Sequence, residues 1–95
     1  MKNANWDSYQ LFLQVARLGG LTGASTASGL SPATVGRRML DLEQEIGRGL
    51  FSRSQTGYRL TPDGQALLDH LHEMEAAARK VEAWRQSGEG GATVR

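Results

Sequence analysis

Two adjacent arginines near the middle of the chain have the side chains best suited to binding a polyanion. Arg37 and Arg38 follow Ser31-Pro32, where serine can cap a helix and proline fits the first helical position. Arginine can donate two hydrogen bonds to guanine, and a Ser or Thr hydroxyl can bond a base or a phosphate. This helix start therefore predicts a surface for duplex DNA. The expected contacts are Ser31, Pro32, Ala33, Thr34, Gly36, Arg37 and Arg38.

The same segment carries an apolar face that leaves both arginines on other sides of the helix. Its members follow steps of four, three and four residues, and they are Val35, Met39, Leu42 and Ile46. Gly36 is unexpected here, because glycine inside a helix costs ~1 kcal/mol relative to alanine. Two explanations stay open: a close approach of the backbone to DNA, or a crowded contact with the preceding helix.

Four further elements must position this helix. A first helix is predicted over residues 7–18 with Asp7 as its cap, and a second begins after a cap at Thr22 and runs to about residue 28. The turn at 29–31 then gives a helix-turn-helix arrangement. Two short strands at 50–53 and 58–60 form a wing. Arg53 and Arg59 lie in these strands and are predicted phosphate contacts, with an ordinary solvated charge as the alternative.

A fourth helix is predicted from Thr61-Pro62 to about Gln86. Apolar residues recur along it at the spacing of a coiled-coil seam, which predicts pairing with a second copy. Packing inside the same chain is the alternative for its first turns. The glycine-rich residues 87–95 are expected to form a flexible tail. The predicted dimer contacts are Leu71, Met74, Ala78, Val81 and Trp84.

Composition excludes several other functions. The 95 residues include no cysteine, so there is no disulfide and no thiolate nucleophile, which fits a reducing cytoplasm. No apolar run approaches the ~20 residues of a membrane span. His70 and His72 are two apart on a helix and point to different faces, so no metal site is expected. We expect no catalytic residue and no cofactor.

Charge is distributed unevenly although the net charge is only +1. Residues 31–61 contain five arginines against three acidic residues, whereas residues 62–86 contain five acidic residues against three basic ones. A basic middle and an acidic last helix are consistent with a nucleic-acid partner for the first and a protein partner for the second.

Residues 6–86 resemble the N-terminal DNA-binding region of LysR-type transcriptional regulators. The matching motifs are Leu11-Phe12 with Val15-Ala16, Gly20-Leu21-Thr22 with Ala24, Ser31 through Arg37, Leu42-Glu43, Ile46-Gly47, Leu50-Phe51, Arg53, Arg59-Leu60-Thr61 and Gly64. The resemblance implies a bacterial transcription factor that dimerises through its long helix, with any small-molecule effector bound by a C-terminal domain absent from these residues. Thr34-Val35-Gly36 departs from the family's usual residues, so no base preference is implied.

The predicted architecture is therefore mainly α. Residues 1–61 form a winged helix-turn-helix with a three-helix core and a two-stranded wing, residues 62–86 a dimerisation helix, and residues 87–95 the tail. A winged-helix module used only for protein–protein contact is the rival hypothesis, because one fold hosts many functions. Within the DNA-binding class, the alternative is a dimeric regulator of the molybdate-responsive type.

Overall fold

The computed structural model describes residues 6–55 and 57–91, with side chains described as far as residue 87. The predicted mainly α winged helix-turn-helix is confirmed, and the two strands pair antiparallel with Phe51 opposite Leu60. In chain order the elements are α1 (Trp6–Leu18), α2 (Leu21–Ser28), α3 (Pro32–Ile46), β1 (Phe51–Ser54), β2 (Gly57–Leu60) and α4 (Pro62–Gly91).

One hydrophobic core joins the helices to the wing. Phe12 of α1 and Met39 of α3 are fully buried, and Phe51 brings β1 into the same cluster. The ring centroid of Phe51 lies 5.3 Å from that of Phe12 and 5.2 Å from that of Tyr58. These tilted aromatic contacts fix the wing against the three-helix body.

The first two helices begin one or two residues earlier than predicted. Asp7 lies inside the first turn of α1 rather than capping it, where its carboxylate faces the positive end of the helix dipole. Leu21 is the first residue of α2, because Gly20 adopts a φ of 134° and its carbonyl accepts the N–H of Ala24. Gly20 is therefore the N-cap of α2, a position that the sequence predicted for Thr22.

The start of α4 matches the prediction and includes a close approach of two backbones. The Thr61 hydroxyl oxygen accepts the N–H of Gly64 at 2.9 Å and donates to the carbonyl of Gly49 at 2.6 Å. A Cβ on Gly64 would lie 2.1 Å from the Leu50 carbonyl oxygen. Only glycine allows the first turn of α4 to cross the start of the wing this closely.

The far end of α4 corrects the predicted tail. The helix continues through Gly91, so residues 87–91 are helical, and residues 92–95 lie outside the described residues. Once a helix is nucleated, each glycine costs only ~1 kcal/mol, and no proline interrupts the chain after Pro62.

Leu71 corrects another prediction, because it belongs to the core of its own chain. Its side chain is 1% exposed and packs with the cluster formed by α1 and α3, so it is unavailable to a second copy. An ion pair between Arg17 of α1 and Glu75 holds α4 one turn further along. From about this point α4 leaves the body, and large apolar side chains are exposed. They are Met74 (47% exposed), Val81 (56%) and Trp84 (71%).

Candidate nucleic-acid interface

The start of α3 is fixed by a pair of hydroxyls. Ser31 has an extended backbone, and its Oγ accepts the N–H of Thr34 at 3.2 Å. The Ser31 hydroxyl also donates to Thr34 Oγ1 at 2.9 Å. Both residues are exposed, as are Pro32 and Ala33 between them. The cap thus confirms the predicted helix start, and the Thr34 hydroxyl hydrogen remains free to donate to another acceptor.

The two arginines that follow have different surroundings. Arg37 is exposed, and none of the carboxylates in residues 6–55 and 57–87 lies within ion-pair distance of it. Arg38 is half-buried, with its Nη2 3.5 Å from the Ser8 hydroxyl of α1. The opposite face of α3 is buried through Val35 and Met39. The Arg37 guanidinium is therefore exposed to solvent on α3, whereas the Arg38 side chain partly packs against α1.

A groove of about 530 Å³ runs between α3 and the wing. Arg37 and Leu40 line it from α3, and Tyr58 lines it from β2. Gly36 lies at its base, where an added Cβ would be 3.4 Å from Leu21 Cδ1 and 3.6 Å from the Tyr58 hydroxyl. Both distances are ordinary van der Waals contacts, so neither α2 nor the wing crowds this position enough to require glycine.

Glu43 connects α3 to the wing. Its Oε2 accepts the backbone N–H groups of Leu50 at 2.7 Å and Phe51 at 3.0 Å. Arg53 adds a bidentate contact, with Nη2 donating to Oε1 at 2.9 Å and Nη1 to Oε2 at 3.3 Å. The Glu43 side chain is only 11% exposed. One carboxylate thus satisfies two backbone donors and one cation at the start of β1.

The charges of this pair are mutually stabilised. Partial burial acts to raise the pKa of Glu43, but hydrogen bonds from Arg53, Leu50 and Phe51 outweigh it and lower the pKa below its usual 4.5. Burial likewise opposes the charge of Arg53, while its bond to Glu43 gives a raised pKa. The Arg53 guanidinium also lies 4.8 Å from the centre of the Tyr58 ring. Arg53, a predicted phosphate contact, is thus engaged by its own chain.

Arg59 is an exposed arginine of the wing, on the opposite face of the hairpin from Arg53 and Tyr58. It lies opposite Ser52 in the hairpin, and its neighbours Tyr58 and Leu60 are half-buried, as strand alternation predicts. No ion pair involves it among the residues that the structure describes. Thr56, at the tip of the wing, lies outside the described residues.

Two residues of the site were missed from the sequence. In the sequence, Glu43 stands out only as part of a family motif, and Tyr58 only as the first residue of the strand predicted at 58–60. A signal for the role of Glu43 was available in the sequence. Glu43 lies near the end of α3, shortly before a hairpin whose first backbone N–H groups need an acceptor. Tyr58 gave no signal of its contact with Arg53, because that contact depends on the register of the hairpin.

Other kinds of site find no support in the described part of the chain. No group of three or more His, Cys, Asp or Glu side chains there is arranged to hold a metal ion. No helix in the described ranges is both long and apolar enough to cross a bilayer.

The sequence profile of bacterial regulatory helix-turn-helix proteins of the lysR family matches residues 6–65. The chain belongs to the LysR family. One relative, the uncharacterised helix-turn-helix transcriptional regulator y4mQ of Sinorhizobium fredii, is 32% identical over 83 residues. That match covers 86% of this chain and 28% of y4mQ. The chain therefore spans little more than a quarter of the length of this relative, and corresponds to the DNA-binding helix-turn-helix of a LysR-family transcriptional regulator.

Solved LysR-family structures share this fold. Full-length LysG from Corynebacterium glutamicum is 30% identical, with a TM-score of 0.78, and the match covers 92% of this chain and 30% of LysG. The CbnR DNA-binding domain in complex with DNA is 29% identical, with a TM-score of 0.75, over 90% of this chain and 99% of that domain. The family and fold predicted from the sequence are both confirmed.

Proposed function

We propose that this LysR-family chain binds a specific duplex sequence as a homodimer, with α3 of each copy in the major groove. The observation that carries the proposal is the exposure of Arg37 beside Ser31–Thr34, on the side of α3 opposite the buried Val35 and Met39. A helix fits the major groove of B-DNA, and the N-terminal residues of a recognition helix face the base edges. The CbnR domain, which has the same fold, was solved bound to DNA.

Each exposed group of the site has a role in this proposal. Arg37 bonds a base, with guanine O6 and N7 as the acceptors that suit a guanidinium. Thr34 contacts a thymine methyl or a phosphate, and the N–H groups at the start of α3 favour a phosphate. Arg59 contacts a phosphate beside the wing. Arg53, held by Glu43, contributes mainly by fixing the wing rather than by direct contact.

Dimerisation rests on the exposed apolar side chains of α4. Met74, Val81 and Trp84 are each about half exposed or more, and they recur at helical spacing on a helix that extends past the body. Exposed apolar stripes of this kind mark interfaces. A second copy pairing along this stripe would carry a second α3, so the bound site would have two related halves.

Selection of bound duplexes from a random pool tests the proposal. We expect recovery of a site with two related halves, one for each α3. In a follow-up titration, a dimer making ~6–8 phosphate contacts should lose a factor of roughly 10³–10⁴ in affinity between 50 and 200 mM salt. Recovery of no sequence, together with no salt-dependent binding, would instead favour the rival function, a winged helix that contacts only proteins.

A further inference from the structure

Leu40 is a large apolar side chain on the solvent face of α3. It is 51% exposed, whereas Val35, Met39 and Leu42 of the same helix are buried and Ile46 is half-buried. A single exposed leucine needs no explanation on most protein surfaces. On the helix that is proposed to enter DNA it does, because the exposed half of the side chain adds nothing to the stability of the fold.

The side of α3 opposite the core is formed by a row of exposed residues. The core row begins at Val35 and continues in steps of four, three and four residues. A second row with the same steps is offset from it by two residues, which turns it ~200° around the helix axis. The members of this second row, all of them exposed, are Ala33, Arg37, Leu40 and Gln44. Leu40 therefore faces in the same direction as Arg37, the proposed base contact.

The surroundings of Leu40 combine apolar and polar groups, as the edge of a base pair does. In the groove between α3 and the wing, Leu40 is joined by the apolar side chain of Leu21 and the ring of Tyr58. The Arg37 guanidinium is a donor and the Asp41 carboxylate an acceptor in the same groove. A phosphate offers only oxygen atoms, so Leu40 would gain nothing from one. The base edges of the major groove offer donors, acceptors and, at thymine, a methyl group.

We propose that Leu40 reads a thymine through its C5-methyl group, beside the guanine that Arg37 bonds. The inference rests on the proposed placement of α3 in the major groove and deepens it. Residues 37 and 40 are ~4.5 Å apart along the helix axis, and stacked base pairs are ~3.4 Å apart along DNA. The two side chains therefore reach neighbouring base pairs. Leu40 thereby determines one further base pair in each half of the site.

Uracil in place of thymine tests the contact on the DNA side, because it removes the methyl group and keeps every hydrogen-bonding group of the base. The duplex recovered by selection is prepared with one thymine of one half replaced at a time. We expect the replacement beside the Arg37 guanine to weaken binding about three- to fivefold, the effect of burying one methyl group less. Replacement of a thymine outside the two halves should leave the affinity unchanged.

Leu40→Ala tests the contact on the protein side. The variant should bind the thymine and uracil duplexes with nearly equal affinity, because the methyl group has lost its neighbour. The position is exposed, so the melting temperature should stay close to that of the natural chain. Leu18→Ala is the matched control, at a leucine of α1 that is 50% exposed, and it should keep the full preference for thymine.

Selection from a random pool with the Leu40→Ala variant gives a second readout. We expect the preference for thymine to relax at one base pair in each half, while the guanine beside it is selected as before. A variant that still prefers thymine over uracil as strongly as the natural chain would overturn the role of Leu40 and leave DNA binding intact. So would a selected site in which no thymine adjoins the guanine that Arg37→Ala affects. Recovery of no sequence by the natural chain would overturn the proposed placement of α3 and the role of Leu40 together.

Discussion

Glu43 and Arg53 form an ion pair that joins α3 to the wing, with 2.9 Å between Arg53 Nη2 and Glu43 Oε1. The same carboxylate accepts the N–H groups of Leu50 and Phe51, so it fixes the direction in which β1 leaves the helical body. Together with the aromatic contacts of Phe51, this acidic side chain therefore fixes the position of the wing relative to α3.

This pair predicts a stability difference that depends on pH. The pKa of Glu43 is lower in the folded chain than its usual 4.5, so the carboxylate stabilises the fold above that pH, and the stabilisation is lost as the pH falls through the folded-state pKa. Glu43→Gln keeps the shape but loses the charge. We expect it to lower the free energy of unfolding by about 1–2 kcal/mol at pH 7.

Urea unfolding of both proteins between neutral pH and about pH 3 measures this difference. The difference should shrink as Glu43 becomes protonated, because a protonated Glu43 and a glutamine are then both neutral. A gap that stayed constant down to the lowest pH would show that the charge of Glu43 has no part in holding the wing.

Recognition of α3 from the sequence succeeded because its signals are local. A serine cap, a proline at the first position and an apolar residue every three or four positions fixed its start, its end and its buried face. The Glu43 contacts were not predictable in the same way. They join residues seven to ten apart across a turn, and their formation depends on tertiary packing that leaves no periodic trace.

The seam of α4 shows a different limit of sequence reasoning. Leu71 and Val81 belong to the same apolar spacing, yet Leu71 is buried in its own chain and Val81 is 56% exposed. The spacing reports that a face is apolar, but it does not report what covers that face. The body of the domain ends along α4 near the ion pair of Arg17 and Glu75, which only the tertiary structure reveals.

Gly64→Ala should be the most damaging small substitution at the wing. The added Cβ would lie 2.1 Å from the Leu50 carbonyl oxygen, a backbone atom that cannot move without shifting β1. We expect a loss of about 3 kcal/mol or more in thermal or urea unfolding. Gly49→Ala is the matched control, since nothing lies within 4 Å of its added Cβ. Equal losses for the two variants would contradict the close approach.

Gly36→Ala tests both explanations for a glycine inside α3, since a crowded contact would lower the stability and a close approach of DNA would lower the affinity. The new Cβ meets Leu21 Cδ1 at 3.4 Å, an ordinary contact with the end of a side chain, and alanine favours a helix by ~1 kcal/mol. We expect a higher melting temperature and unchanged affinity for the selected duplex. A more stable variant that binds that duplex many-fold more weakly would show instead that the DNA backbone approaches Gly36.

Arg37→Ala tests the proposed base contact. Loss of a bidentate contact with guanine should weaken binding to the selected duplex by ~1–3 kcal/mol and leave binding to random duplex nearly unchanged. Arg79→Ala removes the same charge from an exposed position on α4 and should change neither affinity. Should Arg37→Ala weaken both duplexes equally, with a smaller dependence on salt, Arg37 would be a phosphate contact.

Val81→Glu tests the homodimer itself. Val81 is 56% exposed and lies midway along the stripe beyond the body, so the substitution leaves the fold of one copy intact. In a dimer it places an unpaired carboxylate of each copy in an apolar seam, which should cost about 2 kcal/mol or more. The dissociation constant measured by sedimentation should then rise at least about 30-fold. Gln86→Glu, with the same change of charge outside the stripe, should dimerise like the natural chain.

The monomeric Val81→Glu variant should still bind a single half of the selected site nearly as well as the natural chain does, because α3 is unchanged. It should bind the complete site more weakly, because two copies of α3 are no longer linked in one dimer. A Val81→Glu protein that still sediments as a dimer would place the contact between copies elsewhere on the molecule.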